Sequence, residues 1–205
     1  AIHFHDDDID DARWEVDFTF KVPDLIKSGI YAARLRINGE DSPETEDFIP
    51  FVIKPPKGKA TSKTLFVLPS NSYMAYSNDN LGTNSVVAQL LAGKVPVMSA
   101  ADLYLNEHRE YGLSTYSLHS DGSGVCYSSR LRPILNMRPE YRHWLSPSLW
   151  QLNADLHLTD WLEEKNIDFD VMTDEDLHVE GVDLLNRYKC VLTGSHPEYS
   201  SEKML

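Results

Sequence analysis

The sequence predicts a doubly wound α/β domain preceded by a short stretch of β structure. Three observations carry this prediction. Apolar and polar residues alternate within residues 1–54, residues 55–63 are polar and proline-rich, and from residue 64 short unbroken apolar runs alternate with helical periodicity. Alternation at period two marks a strand half buried on one face, whereas an unbroken run marks a strand covered on both.

Taken in order, residues 14–22 (Trp-Glu-Val-Asp-Phe-Thr-Phe-Lys-Val) alternate and predict a first strand, ended by Pro23-Asp24. Ser28-Gly29 is a turn, residues 30–37 a second strand, and Asn38-Gly39 carries the chemistry of a hairpin turn. Residues 48–53 form a third strand, which Pro50 assigns to a sheet edge. Three short strands do not close a sandwich, so residues 1–54 read as the tail of a β-sandwich domain. Residues 55–63 have linker composition. Residues 64–205 read as the N-terminal part of the α/β domain. Within it, residues 64–68 form a fully buried strand and residues 86–91 a helix ending at Gly93. Residues 93–147, rich in Tyr, Ser, His and Gly, form a long ordered insertion of loops. From Ser148, the residues Leu149, Leu152, Leu156, Leu158, Trp161 and Leu162 line one face of a helix that fades at Lys165-Asn166. A strand at 167–172, a helix start at Thr173–Asp176, a buried strand at 188–193 and a helix opening capped by Ser200 complete the series. Strands alternating with helices make a doubly wound sheet. The chain lacks an initiator Met and stops in the first turn of a helix, so both ends read as cut from a longer protein.

A formal charge of −13 over 205 residues argues against nucleic acid and against an anionic membrane surface. The basic stretch Arg130, Arg132, Arg138, Arg142 and His143 lacks any module pattern and reads as a solvated loop face or a subunit contact. No apolar run approaches the roughly 20 residues that cross a bilayer, and no signal region leads the chain. Cys126 and Cys190 do not make a disulfide framework, and Cys190, inside an apolar run, reads as a core residue. A reducing cytoplasm is the implied setting. The acidic stretch at residues 3–11 lacks the spacing and glycine of a calcium loop and reads as a solvated turn.

Ligands in open α/β sheets bind beyond the carboxyl ends of the strands. That rule selects the loop at residues 69–80 and the loop Gly194-Ser195-His196-Pro197-Glu198-Tyr199, with a third loop at 112–124 folding over them. No GxGxxG, Walker A, HExxH or GxSxG motif is present. Ser195, His196 and Glu198 are triad residue types, but neighbours in one short loop cannot bond in series. Cys126 has no base at a defined position to make it a nucleophile. Tyrosines crowd these loops. On spacing alone Tyr73 competes with Tyr76, and Tyr111 and Tyr127 compete with Tyr116, each with packing as its ordinary role.

Four stretches together resemble the large (beta) subunit of N,N-dimethylformamidase: Asn71-Ser72-Tyr73-Met74-Ala75-Tyr76-Ser77-Asn78, residues 113–122, Asn136-Met137-Arg138-Pro139-Glu140-Tyr141, and Thr193-Gly194-Ser195-His196-Pro197-Glu198-Tyr199. Residues 157–181 and Ser28-Gly29-Ile30-Tyr31-Ala32 are also similar to that family. The resemblance implies an iron-dependent amidohydrolase that cleaves a small formamide, of the N,N-dimethylformamide type, to formate and an amine. It implies a sandwich followed by a three-layer domain like a class I glutamine amidotransferase, paired with a small subunit in a hetero-oligomer. The family's mononuclear Fe(III) is bound by two tyrosines and a glutamate, which fall by motif position on Tyr76, Tyr116 and Glu198, and its histidine near the metal falls on His196. Oxygen donors suit ferric iron, and a phenol binds as phenolate once a metal supplies charge. His119 and Asp121 either orient ligands or substrate through hydrogen bonds or simply bond their own loop. Glu198 has a plainer role open to it, at the N-terminus of a following helix. The remaining machinery is expected beyond Leu205, which leaves the chain inactive alone. Two other readings stand beside this one. One is a metal-free amidotransferase-like hydrolase whose nucleophile lies outside the chain. The other is a non-enzymatic binding or assembly module.

Overall fold

In the computed structural model, which describes residues 5, 7–37, 42, 45–139 and 141–205, the apolar run Thr64–Leu68 forms a strand, β3, buried on both faces as its composition predicts. The chain divides into two units, one of residues 16–72 and 151–205, the other of residues 1–15 and 73–150.

The first unit is organised on β3. It pairs in parallel with β4 (Phe169–Thr173) on one side and β5 (Cys190–Thr193) on the other, giving the order β4-β3-β5. Leu65 and Val67 pack with Met172, Leu184 and Tyr188. The chain runs from the central strand to one edge and then across to the opposite side, so the carboxyl ends of β3 and β5 lie at a switch of direction, where such sheets place ligands. After β3 comes a short helix, α1 (Ser70–Ala75), in the stretch expected as loop. Its last residues pass into the second unit.

The chain re-enters the first unit through α4 (Leu152–Glu164), which begins later than its apolar pattern suggests because Gln151 adopts φ 46°. Its buried face is also turned from the predicted one. Leu152, Asp155, Thr159 and Leu162 point inward, while Leu156 is 37 % and Trp161 46 % exposed. The reason is polar. Asp155 accepts the backbone N–H of Ser195, and a carboxylate so engaged must face inward. Helix α5 (Asp174–Glu180) starts in a reciprocal cap, with Asp176 accepting the Thr173 N–H at 3.0 Å, and is followed by α6 (Val182–Leu185). Strand β5, predicted to be buried, is mostly exposed, because among the described residues it pairs only with β3. Cys190 is therefore an exposed thiol rather than a core residue. The final turn is a 3₁₀ segment, Glu202–Met204, with Ser201 and not Ser200 at the capping position.

Strands β1 (Gly29–Arg36) and β2 (Glu46–Ile53) pair antiparallel, Gly29 opposite Ile53 and Arg36 opposite Glu46. The predicted Asn38-Gly39 turn lies outside the described residues. The strand predicted at 14–22 does not form. Its alternating apolar residues, Trp14, Val16, Phe18, Phe20 and Val22, are exposed and no ladder engages them. Alternation prescribes a strand only where a partner edge is present to pair with it. The hairpin joins the parallel sheet through Ser28, whose hydroxyl accepts the Val171 N–H at 2.8 Å and donates to the Val171 carbonyl at 3.3 Å.

A buried carboxylate fixes the base of this sheet. Asp170 accepts the Thr61 N–H at 2.7 Å, the Ser62 N–H at 3.3 Å and the Tyr188 hydroxyl at 2.9 Å. Burial, then the bond to Asp170, holds the Tyr188 phenol above its ordinary pKa.

The second unit contains α2 (Ser85–Ala92), entered through the Asn84 side chain and ended by Gly93 in the left-handed region, as predicted. It also contains α3 (Ala100–Glu107) inside the stretch expected to be loop. A capping box starts α3: Asp102 accepts the Ser99 N–H at 2.7 Å, and the Ser99 hydroxyl accepts the Asp102 N–H at 3.2 Å. Asp102 also accepts the Tyr141 hydroxyl at 3.0 Å. Burial, and then Asp102, raises the Tyr141 phenol. Arg132, expected on a solvated loop face or a subunit contact, is instead buried within its own unit. Its guanidinium donates to the carbonyls of Leu113 (3.0 Å), Ser129 (3.0 Å) and Tyr111 (3.3 Å) and to the Ser77 hydroxyl (2.5 Å), and burial lowers its pKa to about 10. Gly112, at φ 82°, leaves room for this side chain, since a Cβ there would overlap Arg132 and Ile9. No helix among the described residues is long and apolar enough to cross a membrane.

Replacing Asp170 by Ala strands its buried donors and is expected to destabilise the protein by roughly 3 kcal/mol in denaturant unfolding; a change near zero would show that the carboxylate is not the anchor. A second carboxyl gives a pH signature. Burial raises Asp174 above the ordinary carboxylate pKa, against the lowering effect of the Asn71 N–H. The folded state then holds the proton where the unfolded state has lost it, so this group's contribution to stability falls as pH rises between the ordinary and the raised value. Asp174→Asn should therefore be at least as stable as the parent at neutral pH, with any advantage vanishing in acid below the ordinary carboxylate pKa, as read from urea midpoints across pH.

Candidate active site

Helix α1 separates the two tyrosines that compete in the first loop. Tyr73 lies on it and is 2 % exposed, a core position. Tyr76 follows its last residue, and its ring stacks on that of Tyr116, centroids 4.3 Å apart and planes 15° from parallel. The edge of Trp150 closes on Tyr76 at 6.0 Å. Tyr111 instead belongs to a separate aromatic group with Tyr104 and His108, its hydroxyl 3.1 Å from that of Tyr104, and Tyr127 is 57 % exposed.

The backbone under the stacked pair is tied by side chains. The Ala75 carbonyl accepts the Thr115 hydroxyl at 2.8 Å and the Ser114 hydroxyl at 3.2 Å, so the third loop does fold onto the segment carrying Tyr76. Ser114 also accepts the Tyr116 N–H at 3.1 Å, and Asn136 donates to the Tyr76 carbonyl at 2.6 Å. Asn78, in the left-handed region that asparagine tolerates, donates to the Pro133 carbonyl at 2.8 Å and accepts the Leu135 N–H at 3.1 Å. Buried Asp79 accepts the Trp144 indole N–H at 3.0 Å and lies 3.4 Å from His143, whose ring stacks on Trp150 at 4.7 Å.

Glu198 and His196 lie in the other unit, on the loop beyond β5, with His196 Nε2 3.1 Å from Glu198 Oε2. This loop is held by side chains the sequence reading did not select. The Ser72 hydroxyl accepts the N–H groups of Glu198 (2.9 Å) and Tyr199 (3.4 Å), and Asp155 accepts that of Ser195 (2.5 Å). Gly194 is required between them, because a Cβ would run into the Asp155 carboxylate and Pro69. Ser195 thus enters the loop through its backbone. His119 and Asp121 sit on the loop after Tyr116. His119 Nδ1 is 2.6 Å from Asp7 Oδ1, and Asp121 Oδ2 is 3.4 Å from His5 Nε2. The acidic N-terminal stretch expected to be solvated is therefore in part enclosed, Asp7 and Asp8 included. Cys126 is exposed.

The sequence matches the family described as N,N-dimethylformamidase beta subunit-like, C-terminal, over residues 1–205. The chain belongs to this family. It is 48 % identical over 202 residues to the N,N-dimethylformamidase beta subunit of Paracoccus aminophilus, and 46 % identical over 202 residues to that of an Alcaligenes species. Each match covers 98 % of this chain and 26 % of the relative, so the chain spans about a quarter of the length of these relatives.

The four residues named by motif position thus fall into two pairs, Tyr76 with Tyr116 and His196 with Glu198. Two phenols and a carboxylate offer oxygen donors that bind as anions, a set suited to a hard trivalent cation. The Glu198 side chain is 41 % exposed, with Oε2 engaged by His196. Ser72 lies in a loop the sequence selected, but nothing local links it or Asp155 to residues 195–199.

Ser72→Ala removes the acceptor for two backbone donors. It should cost about 1–2 kcal/mol and speed hydrogen exchange at the Glu198 and Tyr199 amides well beyond the rest of the unit. Uniform exchange across the unit would assign Ser72 a general packing role instead.

Proposed function

We propose that this chain carries part of the active site of an iron-dependent amidohydrolase that hydrolyses a small formamide, of the N,N-dimethylformamide type, to formate and an amine. The observation that carries the reading is the face-to-face pair Tyr76–Tyr116, forty positions apart in sequence, in a chain matched along its length by N,N-dimethylformamidase beta subunits. In this reading Tyr76 and Tyr116, as phenolates, and Glu198, as a carboxylate, would be the residues that hold a ferric ion, three anions for a charge of 3+. An ion held there supplies Lewis acidity toward an amide carbonyl and toward water. His196, 3.1 Å from Glu198, orients that carboxylate and takes the proton of the attacking water at a ring nitrogen. The water oxygen bonds to the carbonyl carbon, the C–N bond breaks, and the proton leaves with the amine. His119 and Asp121 act on the loop bearing Tyr116, holding its shape rather than touching substrate.

The same reading makes residues 1–54 the tail of a β-sandwich, 55–63 a linker, and 64–205 the first part of a doubly wound domain like a class I glutamine amidotransferase. It makes the working enzyme a cytoplasmic hetero-oligomer with a small subunit.

The test uses the full-length parent chain expressed with its small subunit. About one iron per large subunit is expected, with the visible charge-transfer band of phenolate on ferric iron. Tyr76→Phe and Tyr116→Phe should each weaken or shift that band and lower formamide hydrolysis by at least about 100-fold. A colourless, iron-free, folded and active enzyme would overturn the reading in favour of a nucleophile outside this chain.

A further inference from the structure

The ring of Tyr76 is held by more than its stack on Tyr116. Stacking resists tilting of one ring against the other, but it tolerates a range of offsets, so the rings can still slide across each other. A contact at right angles blocks that slide. Trp150 supplies one, its ring plane 83° from that of Tyr76 and the centroids 6.0 Å apart. The backbone bonds at residue 76 cannot do this. Asn136 Nδ2 at 2.6 Å and the Asp79 N–H at 3.1 Å fix the Tyr76 carbonyl, not the two torsions of its side chain.

Trp150 is itself seated. The His143 ring stacks on its indole, centroids 4.7 Å and planes 26° apart. Both residues belong to a turn of chain closed by the Arg142–Leu149 bridge and by the His143 N–H on the Ser148 carbonyl at 3.1 Å. His143 is buried, with Nδ1 accepting the Leu145 N–H at 3.3 Å and Nε2 3.4 Å from Asp79 Oδ2. Asp79, buried too, accepts the Leu81 N–H at 2.9 Å and the Trp144 indole N–H at 3.0 Å. Gly82 lets this segment close on Trp144, since a Cβ there would overlap the indole. The contacts run in a closed circuit, from the Tyr76 carbonyl to Asp79, to His143, to Trp150 and back to the Tyr76 ring. A displacement of the indole must part it from His143 or from Tyr76.

We propose that Trp150, seated by His143 and Asp79, is a positioning residue for Tyr76, setting the direction in which its phenol oxygen points without touching substrate. The chemical consequence rests on the iron reading given above, whereas the placement of the ring does not depend on a metal. A phenolate donates through oxygen lone pairs fixed relative to its ring, so the ring angle governs how well the oxygen overlaps with a bound ion. Groups that orient a ligand in this way tune the ion it holds, and their loss is felt in affinity or rate.

The experiment compares Trp150→Leu with Trp150→Phe, which keeps an aromatic ring beside Tyr76, in the full-length chain with its small subunit, loaded with excess ferric iron. The visible charge-transfer band, kcat and KM are measured together. Trp150→Leu should shift the band and lower kcat roughly 10–100-fold, with KM within about twofold of the parent. Trp150→Phe should restore the band and most of the rate. An unchanged band and rate in Trp150→Leu overturns the proposal. A raised KM at unchanged kcat overturns it too, because it places Trp150 against substrate. A parent without iron or band sinks the iron reading alone, and the ring is then read in a crystal structure of the metal-free complex. There the Tyr76–Tyr116 stack should persist in the parent and in Trp150→Phe and be lost in Trp150→Leu; a stack intact in Trp150→Leu overturns the positioning role. Should Trp150→Leu fail to fold, His143→Gln takes its place in both measurements, since it removes the ring stacked on the indole and keeps an amide toward Asp79. A parent-like band or stack in that variant overturns the proposal in the same way.

Discussion

One serine hydroxyl joins the segments that leave the carboxyl ends of β3 and β5. Ser72 Oγ accepts the N–H groups of Glu198 and Tyr199, while its own carbonyl accepts Gln151 Nε2 at 3.3 Å. Further bonds hold the 194–199 loop beside this one. Asp155 pins Ser195, and Gly194 N–H extends the ladder to the Val67 carbonyl at 3.3 Å. A loop beyond a strand end has no ladder of its own to satisfy its amides. Here buried side chains from α1 and α4 supply the acceptors, and the geometry of His196 and Glu198 follows from them.

The unit of residues 1–15 and 73–150 solves the same problem on a larger scale. It has few regular elements, so its backbone groups are met by side chains instead. Arg132 answers three carbonyls, Asn78 both donates and accepts, and Asp102 caps α3 while receiving Tyr141. Each of these is buried, and each loses its partners together if the loops part. Rigidity here comes from polar groups that cannot be left unpaired in a low-dielectric interior. The tyrosine pair is mounted on that network through the Ala75 and Tyr76 carbonyls.

This difference explains what could be read from the sequence. Strand β3 was legible because five apolar residues in a row can be buried only on both faces, and α2 because its apolar run ends at a glycine with positive φ. The start of α5 at Thr173–Asp176 was visible as a helix or turn start, and the structure shows it to be a capping box. Ser99 and Asp102 carried the same signal for α3, but eight residues with a weak apolar face did not draw attention to it. Strand pairing is not a local property, so residues 14–22 alternate without forming a strand, and the apolar run around Cys190 lies at a sheet edge. The inward turn of Asp155 was equally invisible, since its partner lies forty residues on. As for the site, residue types and loop positions narrowed the tyrosines without choosing among them. The choice of Tyr76 and Tyr116 rests on family motifs; the structure adds that their rings stack on one another.

The loop at 112–124 is then held from both sides of Tyr116. Before it, Ser114 and Thr115 hydroxyls fasten the chain to the end of α1; after it, His119 engages the N-terminal segment through Asp7. A ring whose position matters to chemistry gains from having both flanking segments fixed, because a small displacement of a ligand or reacting group is costly to rate.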